Sequence, residues 1–353
     1  MVLEQVGALR AAGHEVQLIS QHTDDVQHQP FYSARSALRV MTGRGTNPRG
    51  EIEDFGPDVV HVHNLFPNYA AAWLDQVKAP IAATLHNFRP LCANGLLFRD
   101  GEQCFSCPDG DPMAAVRHGC YHDSRIATIP LAVRNARGTH RDQLLRSAAA
   151  LICLSATSAR IYEQYGVGRG KLHVLPNGIA DPNARREEAN GRWIAVGRLT
   201  PEKGFAALIS AWPAGHALDI VGDGPGADMP ASLPTGVRLL GSLPRDELLS
   251  SLPHYTGLVF PSACLEMQPT VVLEAMAVGI PVVAKAGNAG ADLIDECGGG
   301  GTYDSNAGLA EALRRTADGR QAYGDLGRQA FEQRFGTAKW VEGLSDLYRG
   351  ILR

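Results

Sequence analysis

The sequence has no apolar run near the roughly 18 residues that a membrane-crossing helix needs. It also lacks a secretory leader, because Glu4, Arg10 and His14 interrupt any apolar stretch at the start. The chain therefore reads as cytoplasmic, with its seven cysteines reduced. It lacks a strong charge of either sign. A net charge of −4 argues against a general nucleic-acid binder. Aromatic residues are few, at 7%, while alanine, valine, isoleucine and glycine are plentiful, a balance that suits a parallel α/β protein. Charged residues at 20% and hydrophobic ones at 44% exclude a disordered chain. One absence is local. "MVLEQVGALRAAGHEV" reads as a helix leading into a strand, whereas a doubly wound domain usually opens on a strand and a glycine-rich turn. Neither precedes this helix. A start codon assigned too late is the expectation, since a real truncation would expose a sheet edge.

The 353 residues suffice for two domains. Short apolar runs alternate with helix-period segments. A first series of strand candidates is "EVQLIS" (15–20), "DVVHVH" (58–63), "IAATLH" (81–86), "ALICLS" (150–155) and "LHVLPN" (172–177). A second is "WIAVGR" (193–198), "LDIVGDG" (218–224), "VRLLGS" (237–242), "GLVFPS" (257–262) and "PVVAKAG" (281–287). Most are apolar on both faces, as buried parallel strands are. Helical patterns separate many of them, at 68–77, 156–165, 244–252 and 270–278. The polar, aperiodic stretch 176–192 reads as a linker. Two doubly wound domains of similar size follow, facing each other across a cleft beyond their C-terminal strand ends.

Three motifs carry chemistry. In "AVGRLTPEKGF" (195–205), Arg198 and Lys203 stand between a strand end and a helix start, which suits a diphosphate. In "PSACLEMQPTVVLEAMAVGIPVVA" (261–284), a loop carries Glu266, the helix starts at Pro269 or Thr270, and Glu274 lies in its second turn. Two carboxylates beside a helix N-terminus can accept hydrogen bonds from hydroxyl pairs on two different rings. The plainer alternative pairs Glu274 with a cation and leaves Glu266 solvated. In "TLHNFRP" (84–90), His86 ends an apolar strand, where functional and structural roles stand about even.

Two further patterns stay open. Cys92, Cys104, Cys107 and Cys120 surround a C-x2-C knuckle, which suits a structural zinc, free thiols, or a redox pair at Cys104 and Cys107. Six arginines (117, 125, 134, 137, 141 and 146) fall among apolar residues. They fit an amphipathic surface meeting an anionic lipid or lipid-linked acceptor, although a solvated helix face is the commoner meaning of such a pattern.

With "VLPNGI", "GRLTPEKG", "IVGDGP" and "LEMQPTVVLEAMAVGIPVVA" in hand, the chain resembles the family-4 retaining glycosyltransferases over nearly its whole length. The cysteine insertion at 92–120 is similar to one in a bacterial polysaccharide-type subset. The resemblance implies an α/β GT-B fold of two Rossmann-like doubly wound domains facing a cleft. It implies an acceptor-side domain at 1–178, a nucleotide-sugar-binding domain at 179–336 and a final helix at 337–353 that could pack back on the first. Arg198 and Lys203 would hold the donor diphosphate, Glu266 the sugar hydroxyls and Glu274 the ribose. Gly222, Leu243 and Thr270 would line the donor, and His86 would stand near the reacting sugar. A nucleotide sugar is the implied co-substrate, with no catalytic metal. The acceptor would be a sugar, glycan, lipid-linked or small molecule, met in the cytoplasm or at the inner membrane surface. A non-catalytic sugar-nucleotide-binding paralogue or subunit, or a sugar-nucleotide epimerase, would share the fold. Two departures stand out. The first strand is absent, and "EMQP" puts Met267 where the family carries a glycine.

Overall fold

The computed structural model describes residues 1–353 apart from 225–228 and 231. The chain forms two compact units. The first comprises Met1–Arg99, Cys104–Pro176 and Val341–Arg353, and the second Asp100–Gln103 and Asn177–Trp340. Pro225, the last residue of "IVGDGP", lies outside the described residues.

The first unit holds a parallel sheet of four strands: β1 (Val60–Val62), β2 (Ile81–Leu85), β3 (Ala150–Cys153) and β4 (Leu172–Val174), side by side in that order. β2 and β3 are buried at every position, which explains their unbroken apolar sequence. The segment 15–20, expected to be a strand, has no regular structure and no ladder. The carbonyl of Val16 accepts from the Arg10 guanidinium at 2.7 Å, and four of the six residues face water. The helix expected at 68–77 shrinks to a short 3-10 turn, Ala72–Asp75. The amides of Ala71 and Ala72 both go to the carbonyl of Gly43 instead of a helical ladder.

The second unit holds six parallel strands: β5 (Arg192–Val196), β6 (Ala217–Val221), β7 (Val237–Gly241), β8 (Gly257–Phe260), β9 (Val282–Lys285) and β10 (Gly300–Tyr303). Their order across the sheet is β10-β9-β8-β5-β6-β7. The chain runs outward from β5 on one side and resumes at β8 on the other. This reversal leaves a crevice at the carboxyl ends of β5 and β8, where open α/β sheets bind ligands. β10 was not expected, because "GGGG" hides it. Its Gly300 is required there, since a Cβ would lie 1.8 Å from the carbonyl oxygen of Val282.

The helix Thr270–Val278 follows β8 within the expected bounds. Its residues 272–278 are all buried. Each large apolar side chain among them contributes about 1.5–3 kcal/mol by burial. That anchorage fixes the helix N-terminus at the crevice. The stretch 177–191 has no regular ladder but is tied to the second unit. Ile179 is buried and bridges to Gly336, and Arg186 donates to the carbonyl of Gly279 at 2.6 Å. The last helix, Thr337–Ile351, buries Trp340 and Leu344. From Val341 onward its residues belong to the first unit. Among the described residues no helix is long and apolar enough to cross a membrane.

Candidate functional site

In the second unit, Lys203 and Glu266 meet at the carboxyl ends of β5 and β8. β5 ends at Val196, Arg198 follows, and a 3-10 turn Pro201–Lys203 leads into the helix Phe205–Ser210. Lys203 Nζ donates to Glu266 Oε1 at 2.5 Å, and Ser262 Oγ donates to the same oxygen at 2.8 Å. The loop carrying Glu266 is locked in place. The amide of Ala263 donates to the carbonyl of Glu202 at 2.9 Å. The buried Asn288 side chain donates to the carbonyl of Ser262 at 2.8 Å.

Arg198 differs from its neighbours. Its side chain is 71% exposed and stands 3.6 Å from Glu202, so it can reorient towards a ligand. Gly222 has φ +150°, and a Cβ there would lie 1.8 Å from the carbonyl oxygen of Gly197. This close approach brings the ends of β5 and β6 together. Leu243 is partly buried against the core. Thr270 is the first residue of its helix and partly exposed.

Glu274 is buried and paired with Arg245, 2.9 Å from Oε1. The cation partner weighed for Glu274 is therefore present. Glu266 is also paired, where the plainer reading had it solvated. Met267 is buried, 7% exposed, and is not among the residues with positive φ. The backbone there does not need a glycine.

In the first unit, His86 follows β2 and does not stand alone. His63 Nδ1 lies 3.0 Å from His86 Nε2. His61 stacks on His63 with ring centroids 4.3 Å apart. His61 also hydrogen-bonds Tyr348 Oη at 2.7 Å and Thr84 Oγ1 at 2.8 Å. Burial lowers the pKa of all three rings, with neighbouring imidazoles adding to it for His61 and His63. His63 falls to about 4. All three are thus neutral imidazoles near pH 7, able to donate at one nitrogen and accept at the other. The sequence reading missed His61, His63 and Tyr348. Its signal was on the page: "HVH" puts two histidines on one face at a strand's C-terminal end.

His63 and His86 border a cavity of about 520 Å³ that lies within this unit. Four of the six arginines noted in the sequence, 134, 137, 141 and 146, also line it, with Arg39 and Arg89. Arg117 instead pairs with Asp111.

The four cysteines of the insertion are free thiols. The Cys92 thiol donates to Asn94 Oδ1 at 3.0 Å, and that of Cys104 lies 3.5 Å from Ser106 Oγ. Burial pushes Cys107 up to about 11, and Cys92, Cys120 and Cys104 are near enough to add to the rise. Among the described residues, no three His, Cys, Asp or Glu side chains are placed to share a metal ion.

Comparison with known proteins covers both units. The family description Glycosyltransferase Family 4 matches residues 1–181, and Glycosyl transferases group 1 matches residues 191–318. Over 217 residues the chain is 31% identical to an exopolysaccharide phosphotransferase of Streptomyces coelicolor. That match covers 56% of this chain and 21% of the other protein, a small part of its length. Among solved structures, the sucrose-phosphate synthase of Thermosynechococcus elongatus superposes with a TM-score of 0.67 at 17% identity, covering 99% of this chain and 92% of that one. Anabaena HepE in complex with UDP-glucose gives a TM-score of 0.59 at 17% identity, covering 86% and 82%.

Proposed function

Since the chain belongs to Glycosyltransferase Family 4 and has the GT-B fold, we propose that it is a retaining glycosyltransferase using a nucleoside-diphosphate sugar. The acceptor is a glycan, a lipid-linked sugar or a small molecule. The observation that carries this reading is the trio Lys203, Glu266 and Ser262 at the switch point of the second unit's sheet.

In this reading the donor diphosphate takes up Lys203 and Arg198. Their charges stabilise the leaving diphosphate as the glycosidic bond breaks. Glu266, already aligned by Ser262, accepts hydrogen bonds from hydroxyls of the transferred sugar. Glu274 accepts from the ribose hydroxyls, with Arg245 paired to its carboxylate. Gly222, Leu243 and Thr270 border the nucleotide. His86, a neutral imidazole hydrogen-bonded to His63, is the first unit's candidate for acting on the reacting sugar. The new bond forms on the face the diphosphate leaves, and the departing phosphate oxygen takes the acceptor proton. Support for a uridine nucleotide comes from the Anabaena HepE complex with UDP-glucose.

Calorimetric titration of UDP and UDP-glucose into the full chain tests the donor site. Glu274→Ala should weaken binding by roughly ten- to a hundredfold, the size of a lost hydrogen-bond pair to a charged group. Unchanged affinity would remove the ribose role. Product NMR tests retention, through the anomeric configuration of the transferred sugar.

A further inference from the structure

The cavity in the first unit has an unbalanced charge. Arg39, Arg89, Arg134, Arg137, Arg141 and Arg146 line it, against a single lining carboxylate, Asp142. Asp142 is already committed. It pairs with Arg134 at 2.5 Å and caps the helix Gln143–Ser147 through the amide of Leu145 at 3.2 Å. Arg146 is held from outside the cavity by Asp75.

The other four arginines have no carboxylate partner among the described residues. Arg39 donates to the carbonyl of Pro67 at 2.8 Å, and its buried Nε has no acceptor. Arg89 lies over the ring of Phe66 at 4.2 Å and donates to the carbonyl of Ala93 at 2.8 Å. It is buried enough for its pKa to fall, and the like charge of Arg134 lowers it further. Arg137 and Arg141 stand exposed, with no ion pair among the described residues. Three partly buried guanidinium groups thus share the cavity with three exposed ones, beside the neutral imidazoles of His63 and His86. Such an arrangement repels itself and is relieved by a multivalent anion. Planar, always-charged forks rather than lysines suit phosphate oxygens, which accept two parallel bonds.

We infer that this cavity binds a phosphate or diphosphate group carried by the acceptor, so that the acceptor is a phosphorylated sugar or a lipid-linked phosphate. The inference rests on the glycosyltransferase reading above, because His63 and His86 border the same cavity. It places the acceptor's anion among the arginines and its reacting hydroxyl towards His86.

The test uses the full chain carrying Arg198→Ala and Lys203→Ala, so that donor-side cations do not contribute. Inorganic pyrophosphate is titrated by calorimetry at two salt concentrations. The chain should bind it, more weakly at high salt. Arg137→Gln with Arg141→Gln, both exposed and so compatible with folding, should cost roughly tenfold or more. Absence of binding, or affinity indifferent to this pair, would overturn the inference. Galacturonate binding as tightly as pyrophosphate would also overturn it, because the site would then read carboxylates. Two arms assign the source. Glucose 1-phosphate competing with pyrophosphate identifies a soluble phosphorylated acceptor. Sedimentation with phosphatidylcholine vesicles containing polyprenyl phosphate, but not with phosphatidylcholine alone, identifies a lipid-linked one. A result with neither competition in the first arm nor sedimentation in the second would refute the acceptor role. UDP titration of the otherwise wild-type Arg137→Gln/Arg141→Gln chain reports separately on the donor reading, which survives if UDP still binds.

Discussion

The two units handle charge in opposite ways. The second balances its candidate carboxylates: Glu266 against Lys203, Glu274 against Arg245, and the buried Asp219 against Arg192 and Arg238. The first gathers six arginines around one aspartate and sets the neutral imidazoles of His63 and His86 beside them. Balanced pairs hold a site in shape and exchange partners when a ligand arrives. An unbalanced cluster waits for a counter-charge. The difference suggests that the second unit is preorganised for a donor bearing both phosphates and hydroxyls, and the first for an acceptor bearing negative charge.

The comparison breaks most visibly at Arg198 and Lys203. Arg198→Ala with Lys203→Ala should lower sugar transfer by roughly a hundred- to a thousandfold or more, the range seen when groups stabilising a developing charge are removed. Initial rates measured with the preferred donor would check it, and substantial turnover would contradict the phosphate role.

Acid should separate the units next. Unfolded histidines take up protons near pH 6.5, while His63 in the fold resists until about 4 and His61 and His86 also titrate below the usual value. Between those limits the unfolded chain binds more protons, so stability conferred by the neutral rings falls as pH falls. Asp219 behaves differently. Arg238 and Arg192 outweigh its burial and hold it at about 2, so its contribution persists until pH drops below the usual carboxylate range. Hydrogen exchange at pH 7 and pH 5 should therefore show the first unit's β1 and β2 losing protection before β6. Protection lost first in the second unit would contradict the assignment. His63→Asn should flatten the pH slope in the first unit.

Met267→Gly is a smaller perturbation. It removes a buried side chain from a backbone that does not need glycine, costing about 1–3 kcal/mol. The melting midpoint should drop, and relative rates with different donor sugars should shift because Met267 adjoins Glu266. An unchanged sugar preference would remove it from the specificity surface. The smallest effect is at Cys107, where a thiol pushed up to about 11 should alkylate slowly at neutral pH. Fast labelling would contradict that environment. About one zinc per purified chain would show the four thiolates converging in solution.

Much of the fold was legible because buried parallel strands announce themselves as apolar runs, and β2, β5, β8 and the helix Thr270–Val278 fell where the pattern put them. β10 was not, because its Gly300 is dictated by close approach to β9 rather than by strand propensity. The segment 15–20 shows the opposite failure, since an apolar run becomes a strand only when a partner takes its backbone groups. At the site, local spacing located Arg198, Lys203, Glu266 and Glu274. It could not show that Lys203 and Glu266, 63 residues apart, hydrogen-bond each other, or that Arg245 holds Glu274. Nor could it show that arginines from three α-helices, a 3-10 turn and two loops converge on the cavity beside His86. Those are long-range facts of the fold.

The most direct test of the central claim is a thermal-shift screen of nucleotide sugars against the wild-type chain and the Arg198→Ala/Lys203→Ala variant. A ligand that binds only the folded state raises its melting midpoint. The account predicts that at least one nucleotide sugar stabilises the wild-type chain and leaves the variant unmoved. A panel without effect on the wild type, or a shift of equal size in the variant, would contradict it.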